Sequence, residues 1–148
     1  MIRLGSLAGY SFDGPRLLAG WTAPQRAAVY AIFYRPEPET RPERYGVIYV
    51  GHTEDLARER FPFGHPASAR WLERVGGDRF KLYIGTLEAP GALAAHREQI
   101  ARELIAIYKP GCNSEQYDQA WSEHWIGEYD TPGTTGPLTT DRDPSGSR

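Results

Sequence analysis

The chain has 148 residues and a formal net charge of −2 at pH 7, with 40% hydrophobic and 24% charged residues. This composition is typical of one soluble globular domain, and the single cysteine, Cys112, excludes an internal disulfide. No apolar run reaches signal-peptide length at the start or membrane-span length elsewhere, so we expect a cytoplasmic protein without membrane contacts.

Residues 1–26 carry closely spaced glycines and prolines, which predict an irregular segment. Too many of its side chains are apolar for a free tail, among them Phe12, Leu18 and Trp21. We therefore expect an N-terminal arm that wraps against the core without forming a domain of its own.

Two strands follow this arm. The run Ala28–Tyr34 has no polar face, which predicts a central strand. Prolines and charged residues in 36–44 predict an exposed loop, and residues 46–50 predict a second strand. The two strands would pair as a hairpin with a long loop.

The stretch after the second strand is the most informative. Gly51 allows a sharp turn and leaves backbone open to a ligand. Thr53 is expected to cap a helix, with Glu54 and Asp55 complementing its positive end. Tyr49, this helix start and nearby arginines would then form a phosphate site, and an ordinary strand-turn-helix connection is the alternative.

The next elements complete a small domain. Pro66 can open a helix over residues 67–75, residues 80–87 predict a third strand, and residues 90–108 predict the longest helix. The sequence thus predicts an α+β fold with a small mixed or antiparallel three-stranded sheet flanked by helices.

The C-terminal part differs in composition. Tyr117, Trp121 and Trp125 recur every four residues and would form one aromatic face of a helix. We expect this face to pack on the domain; the alternative is a face for a protein partner or self-association through Trp121 and Trp125. The expected organisation is an arm at 1–26, a domain at 27–113, an aromatic extension at 114–130 and a disordered acidic tail at 131–148.

Charge is distributed unevenly. Basic side chains outnumber acidic ones in residues 1–113, and the balance reverses in residues 114–148. A basic zone beside the central turn is compatible with phosphate contacts, and scattered solvated arginines are the alternative. Its members are Arg58, Arg60, Arg70, Arg74, Arg79 and Lys81.

This order of elements, with a tyrosine near the end of each hairpin strand, resembles the GIY-YIG nuclease superfamily. The match covers about residues 12–113 and looks like a bacterial and phage subfamily with an enlarged hairpin loop. A literal YIG at residues 83–85 is a decoy, because no capped helix follows it. The residues that carry the resemblance are Ala28-Val29-Tyr30, Tyr49-Val50-Gly51, Phe61-Pro62, His65, Trp71-Leu72, Leu104-Ile105, Lys109-Pro110 and Asn113.

The resemblance implies metal-assisted cleavage of a phosphodiester, with DNA as partner and Mg²⁺ or Mn²⁺ as cofactor if the protein is active. It implies that Tyr30 and Tyr49 line the site and orient a water, and that Asn113 steadies the fold. It also implies a phosphate-binding arginine and a metal-binding glutamate, whose positions hold Glu59 and Ala101. Side chains that would substitute are Arg58, Arg60 and Arg97 for phosphate and Glu98 for metal.

The sequence therefore indicates a nuclease-type domain directed at DNA, with phosphodiester-cleaving chemistry that is impaired or rewired. A second hypothesis is a catalytically inactive module that binds nucleic acid or protein. A third is an enzyme on another small substrate, with Tyr30, His52 and Glu59 as acid and base. The candidate residues are Tyr30, Tyr49, Arg60, Glu59 and His52 for catalysis, Gly51, Arg58, Arg97, Arg70 and Arg74 for phosphate, Glu98 for metal, and Asn113 for structure.

Overall fold

A computed structural model describes residues 1–6, 9–35, 44–88, 93–114 and 125–127. The strands in these ranges are β1 (Ile2–Leu4), β2 (Tyr10–Leu17), β3 (Ala28–Tyr34), β4 (Arg44–Thr53), β5 (Leu82–Glu88) and β6 (Trp125–Gly127). Hydrogen bonds join them into one antiparallel sheet with the spatial order β1-β2-β5-β3-β4-β6.

Two α-helices accompany the sheet, α1 (Ser68–Arg74) and α2 (Ala94–Tyr108), and single 3₁₀ turns cover Leu56–Glu59 and Arg79–Lys81. The predicted α+β class is thus confirmed. Within the described ranges, no helix combines the length and apolar character needed to cross a bilayer.

The central position predicted for Ala28–Tyr34 is confirmed, because β3 pairs with β4 on one side and with β5 on the other. Successive side chains of a strand alternate between the two sheet faces. Val29, Ala31 and Phe33 therefore pack on one face with α2, whereas Tyr30 and Ile32 pack on the other with Leu56 and Trp71. Two apolar layers result, one on each side of the sheet.

The predicted three-stranded sheet is wrong, because β1, β2 and β6 extend it. Residues 1–26 were expected to be irregular, but Ile2, Leu4 and Phe12 are fully buried and their strands pair with each other and with β5. Burial and pairing along β5 therefore stabilise extended backbone despite the nearby glycines.

The helix predicted to start at Thr53 is wrong in its position and length. β4 continues to Thr53, which pairs with Ala28, and the turn that follows is a single 3₁₀ turn capped by Asp55. The Asp55 carboxylate accepts the amide of Ala57, as an N-cap does. The Thr53 hydroxyl instead serves as a partner of Glu59 at 2.8 Å.

A β-bulge in β4 sets the direction of Tyr49. Ile32 pairs with Tyr49 and the next residue, Phe33, pairs with Val47, so Ile48 has no partner on β3. Ile48 and Tyr49 consequently both pack against the layer that contains Tyr30.

Other predicted boundaries differ by a few residues. The third predicted strand begins at Leu82, because residues 79–81 form a 3₁₀ turn. Trp125 lies in β6, so the expected helical spacing of aromatic residues does not extend to it. Tyr117, Trp121, the loop at 36–43 and the tail at 131–148 lie outside the described residues, and the domain limits stay predictions.

Candidate active site

An open cleft of about 630 Å³ lies where the β3–β4 hairpin meets the turn after β4 and the start of α1. The cleft also includes residues next to the end of α2, so it wraps over the edge of β4. Predicted site residues that line it are Tyr30, Tyr49, Gly51, His52, Glu59, Arg70 and Asn113.

The two tyrosines lie as the sequence predicted, on adjacent antiparallel strands and at one cleft. Their ring centroids are 6.1 Å apart. Gly51 lies opposite Tyr30 in the strand register, and a Cβ atom at Gly51 would lie 2.5 Å from the Tyr30 hydroxyl oxygen. The Tyr30 phenol therefore occupies the space that a side chain at Gly51 would fill.

His65 is the site residue that sequence reasoning missed. Its side chain is buried, and its Nε2 lies 2.8 Å from the Tyr30 hydroxyl oxygen. Its Nδ1 accepts the backbone amide of Ala67 at 2.9 Å. An accepting Nδ1 requires the proton of a neutral ring to be on Nε2, so the hydrogen-bond network assigns His65 as the donor to Tyr30.

The signal for His65 was present but weak. His65 belongs to the segment that carried the family resemblance, yet a histidine between Gly64 and Pro66 also fits an ordinary turn. His52, the histidine predicted to act as an acid or base, lines the cleft as an exposed residue.

Aromatic rings hold the imidazole in place. The Trp71 ring centroid is 4.8 Å from that of His65 and 5.4 Å from that of Tyr49. Phe61 packs edge-on against Tyr30 with centroids 5.1 Å apart. Such packing restricts the rotamers of the polar rings and keeps their hydrogen bonds aligned.

Glu59 brings a carboxylate into the cleft. One carboxylate oxygen accepts the Thr53 hydroxyl at 2.8 Å, and the other lies 3.5 Å from His65 Nε2. Its side chain is 27% exposed, which places the charge at the mouth of the cleft. Glu59 therefore lies beside the tyrosines, where the resemblance implies an arginine.

The two arginines that flank Glu59 are directed elsewhere. Arg58 is exposed and pairs with Asp55 at 3.4 Å. Arg60 has a left-handed backbone conformation with φ of 61°, is exposed, and does not line the cleft. The expected substitution of the missing arginine by either neighbour is thus not seen among the described residues.

The protonation states of the cleft follow from burial. Burial raises the pKa of Tyr30 far above its ordinary range, and nearby Tyr49 and Glu59 raise it further. Burial also raises the pKa of Tyr49, which a hydrogen bond from Tyr30 partly offsets. The pKa of His65 is lowered by burial, with Glu59 opposing this shift and Arg60 adding to it. At neutral pH the cleft therefore presents two neutral phenols and a neutral imidazole.

The expected residues of α2 lie outside the cleft. The Glu98 carboxylate pairs with Arg102 on the exposed surface. Arg97 is 5% exposed and does not line the cleft. Ala101 packs in the apolar layer that covers the opposite face of the sheet from Tyr30.

A Mg²⁺ or Mn²⁺ ion in the cleft would have one protein carboxylate, that of Glu59, among the described residues. Among them, no group of three or more His, Cys, Asp or Glu side chains is positioned to hold a metal ion. Glu59 is the one carboxylate that lines the cleft within the described ranges, and it is already hydrogen-bonded to Thr53.

Asn113 closes the edge of β4 beside the cleft. Its amide oxygen accepts the Val50 amide at 2.8 Å, and its amide nitrogen donates to the Val50 carbonyl at 2.9 Å. The amide of Cys112 donates to the Ile48 carbonyl at 2.9 Å. These contacts replace a neighbouring strand and fix the part of β4 that carries Tyr49.

No family model matches the chain, and no curated protein or solved structure is significantly similar to it.

Proposed function

We propose that the chain is a nucleic-acid-directed protein of the GIY-YIG nuclease type, which holds a DNA phosphate over the Tyr30–Tyr49 cleft with impaired or rewired cleavage chemistry. The observation that supports this most is the 2.8 Å hydrogen bond from His65 to Tyr30, beside Tyr49 at an open cleft. Because His65 donates to the Tyr30 oxygen, the Tyr30 hydroxyl can donate its own hydrogen to Tyr49.

Neutral phenols suit the binding of a phosphate oxygen. The Tyr49 hydroxyl accepts a hydrogen bond from Tyr30 and can donate its own hydrogen to a phosphate oxygen. The pKa values of Tyr30 and Tyr49 are raised, so neither phenol adds negative charge at neutral pH. Arg70 lines the same cleft and supplies a positive charge. Phosphate contacts of this kind position nucleic acid without reading its sequence.

Glu59 accounts for the impaired chemistry. A carboxylate at the mouth of the cleft repels the phosphate that the tyrosines would bind. The Arg60 charge acts on His65, but both flanking arginines are exposed and neither lines the cleft where the phosphate would bind. We therefore expect weak DNA binding and cleavage near background.

A rewired reaction would use Glu59 as the proton acceptor. A water that attacks a phosphate must lose a proton, and His65 has no free acceptor because Nδ1 is bonded to Ala67 and Nε2 carries hydrogen. Glu59 lines the cleft and lies within hydrogen-bond range of Tyr30, so its carboxylate can accept that proton. Any cleavage should then disappear in Glu59→Gln, whereas in an inactive binding module the wild type would not cleave at all.

The binding claim is tested by fluorescence anisotropy of a labelled DNA oligonucleotide with the wild type and Tyr49→Phe. Losing one hydrogen-bond donor of roughly 1 kcal/mol should weaken binding about fivefold. Tyr10→Phe is the matched control, because the Tyr10 hydroxyl bonds Glu103 outside the cleft. Equal affinities for the wild type and Tyr49→Phe would show that DNA does not use the cleft.

A further inference from the structure

A second cavity of about 250 Å³ is lined by residues of α1 and of the segment that follows α2. Arg70 and Cys112 line both spaces, so the cavity and the cleft lie beside each other. The other residues of this cavity are Glu73, Arg74 and Gly111.

Arg70 is the shared cation of the two spaces. Its guanidinium is half-buried and donates one hydrogen bond, from Nη2 to the Gly111 carbonyl at 3.2 Å. Within the described ranges it forms no salt bridge. A guanidinium carries five N–H donors, so most of those of Arg70 remain available to an anion.

Arg74 adds a second positive charge to the same wall. Residues four apart on a helix share one face, and like charges at that spacing destabilise the helix. Glu73 also lines the cavity, but it is exposed, and the three side chains together leave one net positive charge. The Cys112 thiol adds no charge at neutral pH, because burial raises its pKa although Arg74 and Arg70 oppose this. The formal charges of the lining side chains therefore sum to a positive value, which favours an anion in the cavity.

We infer that the cavity lined by Arg70 and Arg74 is a second phosphate subsite, which takes a neighbouring phosphate of a nucleic-acid strand lying in the cleft. The inference rests on the proposed function. A nucleic-acid strand fits better than a free phosphate, because successive phosphates of one strand can occupy two neighbouring spaces that share Arg70. This subsite supplies the attraction that Glu59 opposes in the cleft.

The test measures the dissociation constant for a labelled DNA oligonucleotide over a series of salt concentrations. Arg74→Gln removes the charge without touching the cleft, and Arg16→Gln is the matched control, because Arg16 is exposed on β2 and pairs with Asp13. Losing one phosphate contact should weaken binding several-fold and make the slope of log K against log salt shallower by about 0.9. Arg74→Lys should keep most of the slope, since it keeps the charge.

Two outcomes separate the subsite from the proposed function. In the first outcome, the wild type binds DNA and Arg74→Gln, folded by circular dichroism, binds it with the same affinity and the same salt slope. This result would overturn the subsite alone. A wild type that binds no DNA even at low salt would overturn both. A third measurement uses inorganic phosphate. If free phosphate binds tightly and this binding depends on Arg74, while DNA does not bind, the claim that the phosphate belongs to a nucleic-acid strand would be overturned.

Discussion

His65 donates a hydrogen bond from Nε2 to the hydroxyl oxygen of Tyr30 across 2.8 Å, while its Nδ1 is held by a backbone amide. This relationship joins the turn before α1 to the central strand and fixes the tautomer of the histidine. It also makes the neutral imidazole part of the native structure, because a protonated ring would turn Nδ1 into a donor facing the amide of Ala67.

The first prediction concerns pH. His65 has a lowered pKa in the folded protein and its ordinary value of 6.5 when unfolded. As the pH falls, His65 is therefore protonated in the unfolded state before it is protonated in the folded state. The contribution of neutral His65 to the free energy of unfolding is thus fully present above about pH 6.5 and is lost in acid. When the pH is lowered from 8 to 5, the melting temperature of His65→Gln should fall less than that of the wild type. His52→Gln, at an exposed position, should keep the wild-type slope, and equal slopes for all three proteins would refute the prediction.

The second prediction concerns Gly51. The Cβ atom of Gly51→Ala would meet the Tyr30 ring and hydroxyl at 2.5 Å, so the phenol must move and release His65. We expect the free energy of unfolding, measured with urea, to fall by about 1–3 kcal/mol. His52→Ala, one residue along and exposed, should change it by no more than about 0.5 kcal/mol. A Gly51→Ala variant as stable as the wild type would mean that Tyr30 is not held against this strand.

Some elements of the fold can be predicted from neighbouring residues in the sequence, and others depend on long-range contacts. The strand Ala28–Tyr34 was predictable because its β-branched and aromatic residues leave it without a polar face, as in a central strand. Residues 1–26 were not, since β2 is stable only when paired with β5, far along the chain. Local turn signals such as Gly14 and Pro15 outweighed that pairing in the sequence pattern.

The candidate site divides in the same way. The approach of Tyr30 and Tyr49 could be predicted from the hairpin, although it also depends on a bulge at Ile48 that no local pattern marks. His65 could not be ranked above His52, because its contact with Tyr30 crosses 35 positions of sequence. Ala101 marks another limit: a glutamate introduced there would lie in an apolar layer and would cost several kcal/mol unless paired.

The third prediction concerns Asn113. In Asn113→Ala the buried Val50 loses both partners of its amide and carbonyl groups, and a buried polar group left unpaired costs about 1–3 kcal/mol. We expect a matching loss in the free energy of unfolding measured with urea. Gln99→Ala, on the exposed side of α2, is the control and should have little effect. Equal stability of Asn113→Ala and wild type would show that the two hydrogen bonds from Asn113 to Val50 do not stabilise this edge of β4.

The central claim is that DNA phosphate binds over the tyrosines against the opposing charge of Glu59. Its most direct test is the DNA affinity of Glu59→Gln, measured by anisotropy beside Glu54→Gln, which removes the same charge from an exposed residue outside the cleft lining. Removing a like charge worth roughly 1 kcal/mol should tighten binding about three- to tenfold in Glu59→Gln and much less in Glu54→Gln. Unchanged or weaker DNA binding by Glu59→Gln would contradict the account.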